Sequence, residues 1–198
     1  MVRDIVGRTA GLEVNARYLM YEDDEGAKDY FRELDEGLFL LPQVGAGLGE
    51  RLANAFAQLF SRGYTTLAVI GTDSPDLPLA YMDEAFARLE SGEEEVLFGP
   101  TEDGGYYLVA LRCSHPELFQ GVPWSTDKVL EVSLQRAAEA GLRAGLLPHW
   151  YDVDEPSDLT RSELLNGEHD ACRTRSYLLN PGTAIHHWDT ETERKTPE

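Results

Sequence analysis

Basic residues are scarce in this chain. Lys and Arg number 17 against 36 Asp and Glu, which leaves a formal net charge of -19 and a pI near 4.5. That balance disfavours a sequence-independent grip on DNA or RNA, where basic side chains must neutralise phosphates, and it disfavours anionic membrane surfaces too. Cysteine is nearly absent: Cys113 and Cys172 lie far apart without CxxC spacing, so neither a zinc ribbon nor a disulfide framework is indicated and both are read as reduced, structural thiols. No run approaches the roughly 20 apolar residues of a spanning helix, and Met1-Val2-Arg3-Asp4 lacks the apolar stretch of a secretion signal. A soluble cytoplasmic protein without nucleic-acid or membrane partners is expected. No internal repeat occurs. What the 198 residues do contain is 42% apolar and 10% aromatic side chains, enough for the core of one ordinary domain.

Hydrophobic spacing predicts alternating strands and helices. Leu12, Val14, Ala16, Tyr18 and Met20 have the period of two of a strand near a sheet edge, and Asp24 to Glu36 suits an amphipathic helix closed by Gly37. Leu38-Phe39-Leu40-Leu41 reads as a strand buried on both faces, followed by a helix carrying Leu48, Leu52, Ala55, Phe56, Leu59 and Phe60. Leu67-Ala68-Val69-Ile70 is the clearest buried strand, Pro78 opens a helix to about Ser91, and strands follow at 95–98 and 106–111. A helix after Ser125 or Thr126, a weak strand at 142–147 and a helix at about 156–165 complete the regular part. The pattern predicts an α/β layer with a mainly parallel sheet. Beyond about Gly167 the chain is polar and irregular, and Thr183 to Glu198 reads as a loose tail.

Two acidic turns carry the chemistry. The predicted strand Leu67–Ile70 empties into Gly71-Thr72-Asp73-Ser74-Pro75-Asp76-Leu77-Pro78, which puts Asp73 beyond a strand's carboxyl end, where open α/β sheets collect ligands. A protein this acidic repels a phosphate substrate unless a cation intervenes, and hard carboxylate oxygens suit Mg²⁺. The alternative is that Asp73 or Asp76 caps the next helix. The second turn, Tyr151-Asp152-Val153-Asp154-Glu155-Pro156-Ser157-Asp158, places Asp152 and Asp154 on one side if extended, facing a common ion, unless Asp154 or Ser157 is a helix cap. An aspartyl nucleophile also suits D-x-D, but Leu147-Pro148-His149-Trp150-Tyr151 is a broken strand.

Three further segments are candidates for substrate contact. Asp103, with Gly104 and Gly105, either receives a hydrogen bond from a substrate hydroxyl or merely makes a hairpin turn. Gly45-Ala46-Gly47-Leu48-Gly49-Glu50-Arg51 opens a helix whose free amides and Arg51 guanidinium could face an anion, though it lacks the Gly-Lys-Ser/Thr ending of a P-loop. Trp124-Ser125-Thr126 sets an aromatic ring beside two hydroxyls, which suits stacking on a sugar or base as well as ordinary packing. His186 and His187 are read as solvated. Ser74 and the two cysteines are read as lacking a histidine base, so nucleophilic hydrolysis has no support.

Taken in order, Gly-Thr-Asp73-Ser-Pro-Asp-Leu-Pro, Gly-Pro-Thr-Glu-Asp103-Gly-Gly-Tyr-Tyr-Leu, Val-Pro-Trp124-Ser-Thr and Asp152-Val-Asp154-Glu-Pro-Ser-Asp-Leu look like an uncharacterised glycosyltransferase-A-like family. That family is related to 2-phospholactate guanylyltransferase and, more distantly, to the molybdenum-cofactor nucleotidyltransferases. The likeness runs from about Leu12 to Leu165, and Gln43 with Gly47-Leu48-Gly49-Glu50-Arg51 also resembles the family's segment before its second full helix. The resemblance implies a three-layer, mainly parallel α/β fold of the nucleotide-diphospho-sugar transferase type over residues 1–167, with 168–198 as a C-terminal extension. It implies a transferase that acts on a nucleotide or nucleotide sugar with Mg²⁺ or Mn²⁺. Asp73 and Asp154 match the metal ligands, and Asp73 and Asp103 the catalytic positions. Gln43, Gly47, Gly49, Arg51, Thr72, Ser74, Pro75, Gly104, Gly105, Trp124, Ser125 and Thr126 match positions that line the substrate. Relatives begin with a strand, a Lys- and Arg-containing nucleotide loop and a helix, which the first eleven residues here cannot hold. The chain thus reads as N-terminally shortened: a fragment, or a member that has lost activity or completes its sheet as a homodimer.

Overall fold

The computed structural model describes residues 1–166 and 171–180. Strands β1 (Arg17–Tyr21) and β2 (Leu38–Pro42) pair in parallel through the crossover helix α2 (Ala27–Arg32). A second sheet has the order β3-β5-β4-β6, from β3 (Leu67–Ile70), β4 (Val96–Pro100), β5 (Tyr106–Leu111) and β6 (Ala144–Leu146). There β3, β4 and β6 run one way and β5 runs against them. The reversal follows from the short connection between β4 and β5, which can close only a hairpin, whereas parallel neighbours need a long crossover. Helices α3 (Leu48–Ser61), α4 (Leu79–Ser91) and α5 (Val129–Glu139) supply the layers on its two faces.

Alternation along the strands builds two cores. Leu97, Leu108 and Ala110 face α4, whose Met82, Ala85 and Leu89 cover them together with Ile5. Val96, Phe98, Val109 and Leu111 face the other way, onto Leu52 and Phe56 of α3, Ala137 of α5 and the 3-10 turn Pro116–Phe119. This is the expected three-layer arrangement.

Three local expectations change. The strand at Leu67–Ile70 is half-buried along its whole length, because among the described residues β3 pairs only with β5 and its other edge is open. Likewise β2 buries only Leu41, and Phe39 is 56% exposed, since among the described residues its sheet has just two strands. Residues Leu12 to Ala16 are not strand, and β1 starts at Arg17.

Two helices lie outside the predicted pattern. Helix α1 (Val2–Thr9) buries Asp4, Ile5 and Val6, and helix α7 (Cys172–Leu179) forms within the stretch expected to be irregular. Each holds the other. The buried Asp4 carboxylate accepts hydrogen bonds from the backbone N–H of Arg173 (3.0 Å) and Thr174 (2.9 Å) and from Thr174 Oγ1 (2.6 Å), so α1 caps the positive end of α7. The predicted helix at 156–165 is split into a 3-10 turn, Asp158–Thr160, and the short α6 (Ser162–Asn166). The expected loose tail from Thr183 and the His186-His187 pair lie outside the described residues. Among those residues, no helix is long and apolar enough to cross a membrane.

Candidate metal centre

Strand pairing brings the acidic turns to one end of the sheet. Strand β6 continues alongside β4 past its own end: Leu147 N donates to Phe98 O (2.9 Å), Trp150 N donates to Pro100 O (3.0 Å), and Trp150 bridges Thr101. The chain therefore delivers Tyr151 to Asp154 next to the β4–β5 turn that bears Asp103. On the neighbouring side Val153 N donates to Asp73 O (2.9 Å) and Ser74 Oγ donates to Tyr151 O (2.9 Å), which pins the turn after β3 to the same stretch. Tyr151 and Val153 point into a small core with Leu164 and Ala171, so the alternation turns Asp152 and Asp154 the other way.

The outcome is a tight set of carboxylates. Asp103, Asp152 and Asp154 each offer an oxygen, and these oxygens lie within 4.8 Å of one another. Asp73 stands outside that set, because its carboxylate folds back over Gly71, where a Cβ would lie 2.4 Å from Oδ1. It is nonetheless near enough to act electrostatically. Burial, then the charges of Asp103 and Asp154, and last that of Asp73 push the Asp152 carboxyl up to about 6, and burial followed by Asp73 and Asp103 raises Asp154. Carboxylates so crowded resist ionising together, and a hard divalent cation that prefers oxygen ligands relieves the repulsion. The donor set therefore suits Mg²⁺ or Mn²⁺, with Asp103, Asp152 and Asp154 converging and Asp73 adjacent.

None of these aspartates caps a helix. The N-cap of α4 is Pro78, without a side-chain cap. The backbone amides of Asp154 and Glu155 are held by Asp158 Oδ2 at 3.2 and 2.9 Å. Asp158 and Glu102 in turn bind Arg161, which lies over the Tyr151 ring, so this guanidinium is occupied in bracing the turn. Asp103 takes part in the hairpin as well as the cluster. Thr101 Oγ1 and the Gly105 N–H both donate to its Oδ1, which fixes the carboxylate's direction.

The residues expected to meet substrate divide into three groups. Thr72 is exposed beside Asp73, but Ser74 and Pro75 are buried, and the Ser74 hydroxyl is spent on Tyr151 O. Gly49 and Gly104 bind the loop Trp124–Asp127 to its neighbours. A Cβ on Gly49 would lie 2.7 Å from Trp124 Nε1, and one on Gly104, whose φ is +89°, would lie 2.3 Å from Asp127 O. The Trp124 ring meets Tyr106 edge-on at 6.2 Å, so much of it is used in packing, whereas Ser125 and Thr126 are exposed and Ser125 holds a left-handed φ of 61°. Strain of that kind at a non-glycine residue gathers at binding sites.

The loop ahead of α3 is self-satisfied. The Ala46 N–H, expected to be free for an anion, donates to Glu50 Oε2 (2.8 Å). Arg51 donates to Gln43 Oε1 (2.9 Å) and Gly45 O (3.3 Å) and pairs with Glu22 (3.2 Å). Gly47 is the N-cap of α3, its O accepting from Arg51 N. Asp76 was open to a capping role and instead is a buried acceptor for Tyr151 Oη and Trp150 Nε1. The reading that neither cysteine has a histidine base is corrected for Cys113, whose Sγ lies 3.0 Å from His115 Nε2.

Solved structures share this architecture. A protein from Desulfovibrio desulfuricans G20, provisionally assigned as a nucleotide-diphospho-sugar transferase, is 26% identical, with a TM-score of 0.76 over 92% of this chain and 80% of that one. A 4-diphosphocytidyl-2C-methyl-D-erythritol synthase is 14% identical with a TM-score of 0.60, over 82% of this chain and 88% of its own. Molybdopterin-guanine dinucleotide biosynthesis protein A from Archaeoglobus fulgidus is 15% identical with a TM-score of 0.56, over 82% and 83%. The fold is thus that of the nucleotide-diphospho-sugar transferases. No curated protein matches the chain. A family profile does, over residues 5–126, and the chain belongs to that family, the uncharacterised proteins conserved in bacteria known as DUF2064.

Proposed function

We propose that this protein is a divalent-metal-dependent transferase acting on a nucleotide or nucleotide sugar, with kinship to nucleotidyltransferases of the 2-phospholactate guanylyltransferase kind. The observation that carries the reading is the convergence of Asp103, Asp152 and Asp154, with Asp73 alongside, beyond the carboxyl ends of β3 and β4. Asp152 and Asp154, with Asp103 or Asp73, would hold Mg²⁺ or Mn²⁺. When bound, the ion supplies the positive charge that neutralises phosphate oxygens during transfer. The chain's own residues then position the reactants: Thr101 and Gly105 orient Asp103 to accept a proton or hydrogen bond from an acceptor hydroxyl, and Ser125 and Thr126 offer hydroxyls on the adjoining loop.

A second reading is a catalytically inactive remnant that binds a ligand or protein partner through the same cleft. One observation favours it: Arg51, the residue expected to face an anion, and Arg161, beside the acidic turn, are both committed to internal carboxylates. Titration calorimetry with Mn²⁺ and a panel of nucleoside triphosphates and nucleotide sugars separates the two. The transferase binds nucleotide only with metal, and D154N abolishes that binding. Absence of nucleotide binding by the folded wild type in the presence of Mn²⁺ leaves the remnant.

A further inference from the structure

A second group of reactive side chains sits at the opposite end of the sheet, just after β5. Cys113 Sγ lies 3.0 Å from His115 Nε2, and His115 Nδ1 lies 2.8 Å from Glu117 Oε1. A carboxylate can only accept here, so Nδ1 carries the proton and Nε2 is left to receive the one on sulfur. Glu117 is held below the usual carboxylate range by that hydrogen bond. His115 opens the 3-10 turn Pro116–Phe119 without a side-chain cap, so turn formation does not account for the arrangement. Nor does metal binding: the imidazole stands between sulfur and carboxylate, and the convergent ligand set among the described residues is made of aspartates.

The thiol opens onto a cleft of about 540 Å³ walled by Phe60 and Tyr64 and flanked by Arg112 and by Glu95, whose carboxylate is paired with Arg143. Cys113 is exposed, and among the described residues the Arg112 guanidinium enters no ion pair. The cleft thus offers a nucleophile, an apolar wall and a cation that among the described residues has no ion-pair partner, while the base and its orienting carboxylate stand beside the thiol outside the cleft's lining.

We propose that Cys113 is a thiol-modification site, activated by His115 and Glu117, that takes low-molecular-weight disulfides bearing carboxylates. In the step, His115 Nε2 removes the thiol proton as Sγ attacks one sulfur of the small disulfide. A new S–S bond forms to Cys113, the old S–S bond breaks, and the departing sulfur leaves with the electron pair and takes the proton from His115. One thiol is oxidised to a mixed disulfide and one half of the small disulfide is reduced to a thiol. Glu117 and Arg112 act as positioning residues, for the imidazole and for the reagent's carboxylates.

The test uses the full chain carrying Cys172→Ser, with oxidised glutathione as the anionic probe and cystamine as the cationic one. Mixed-disulfide formation is followed by intact mass. His115→Gln slows the reaction by about tenfold or more, and Arg112→Gln slows oxidised glutathione while leaving cystamine unchanged. A His115→Gln protein with the parent's circular dichroism and an unchanged rate overturns the proposal. A check that needs no change at the site compares the same chain folded and in urea. The folded thiol reacts faster although it is less accessible, and a slower folded rate also overturns the proposal.

Discussion

Replacing Asp152 by Asn removes one charge from the acidic cluster and keeps the side chain's size. Burial and the neighbouring aspartates raise the Asp152 carboxyl from 3.8 to about 6, so the folded chain holds this proton more tightly than the unfolded chain does. Stability therefore falls as pH rises through that window and remains lowered above it. At about 1.36 kcal/mol per pKa unit, the ceiling on the penalty is about 3 kcal/mol. Solvent screening of a side chain that is only partly buried reduces it to about 1 kcal/mol. For a chain of this size that corresponds to roughly 2–4 °C in Tm. Scanning calorimetry in chelator at about pH 8 should find D152N melting higher than wild type by that amount, with the advantage shrinking as pH drops from about 6 toward 4. Excess Mn²⁺ should reverse the order, since a ligand at about 100 times its Kd stabilises the wild type by about 2.7 kcal/mol. Equal melting of the two proteins in chelator at the higher pH would refute the mutual repulsion on which the metal reading depends.

Three other outcomes follow from the same geometry. Mn²⁺ should raise the wild-type Tm but not that of D154N, and its apparent affinity should weaken as pH falls through about 6, where Asp152 regains its proton; thermal-shift titrations at several pH values read both effects. Gly104→Ala forces a Cβ to within 2.3 Å of Asp127 O at a φ of +89°. It should cost about 2–4 kcal/mol in urea unfolding and displace the Trp124–Asp127 loop, seen as altered Trp fluorescence. Tyr151→Phe removes a donor from the buried Asp76 carboxylate, which should cost about 2 kcal/mol by the same urea measurement.

The bounds of the apolar strands were legible and their neighbours were not. The runs at Leu67–Ile70 and 106–111 have the observed bounds of β3 and β5 because each is an apolar run closed by turn residues. Their local pattern cannot tell how many neighbours a strand has, so β3 reads as buried although one of its edges is open. Helices α1 and α7 escape a periodicity reading because each is short and largely polar, and α1's capping contact lies about 170 positions along the chain, at Thr174. At the site, Asp152 and Asp154 share a side because Tyr151 and Val153 alternate with them, a parity visible in the sequence. That Asp103 would converge with them, and Asp73 stand back, depends on how far β6 runs beside β4, which spacing does not encode. Asp76 has the same side chain and adjoins the same turn, yet is matched by aromatic donors 74 and 75 residues later.

The clasp of Asp4 on α7 closes a loop of 170 residues for three hydrogen bonds. Contacts of such span form after most of the chain has already condensed, since closure entropy must be met first. Loosening this clasp therefore acts on how fast the native state opens and leaves the rate of its formation nearly untouched. On this order of events, the contact between α1 and α7 is expected to lengthen the lifetime of the folded protein while contributing little to the speed of its assembly.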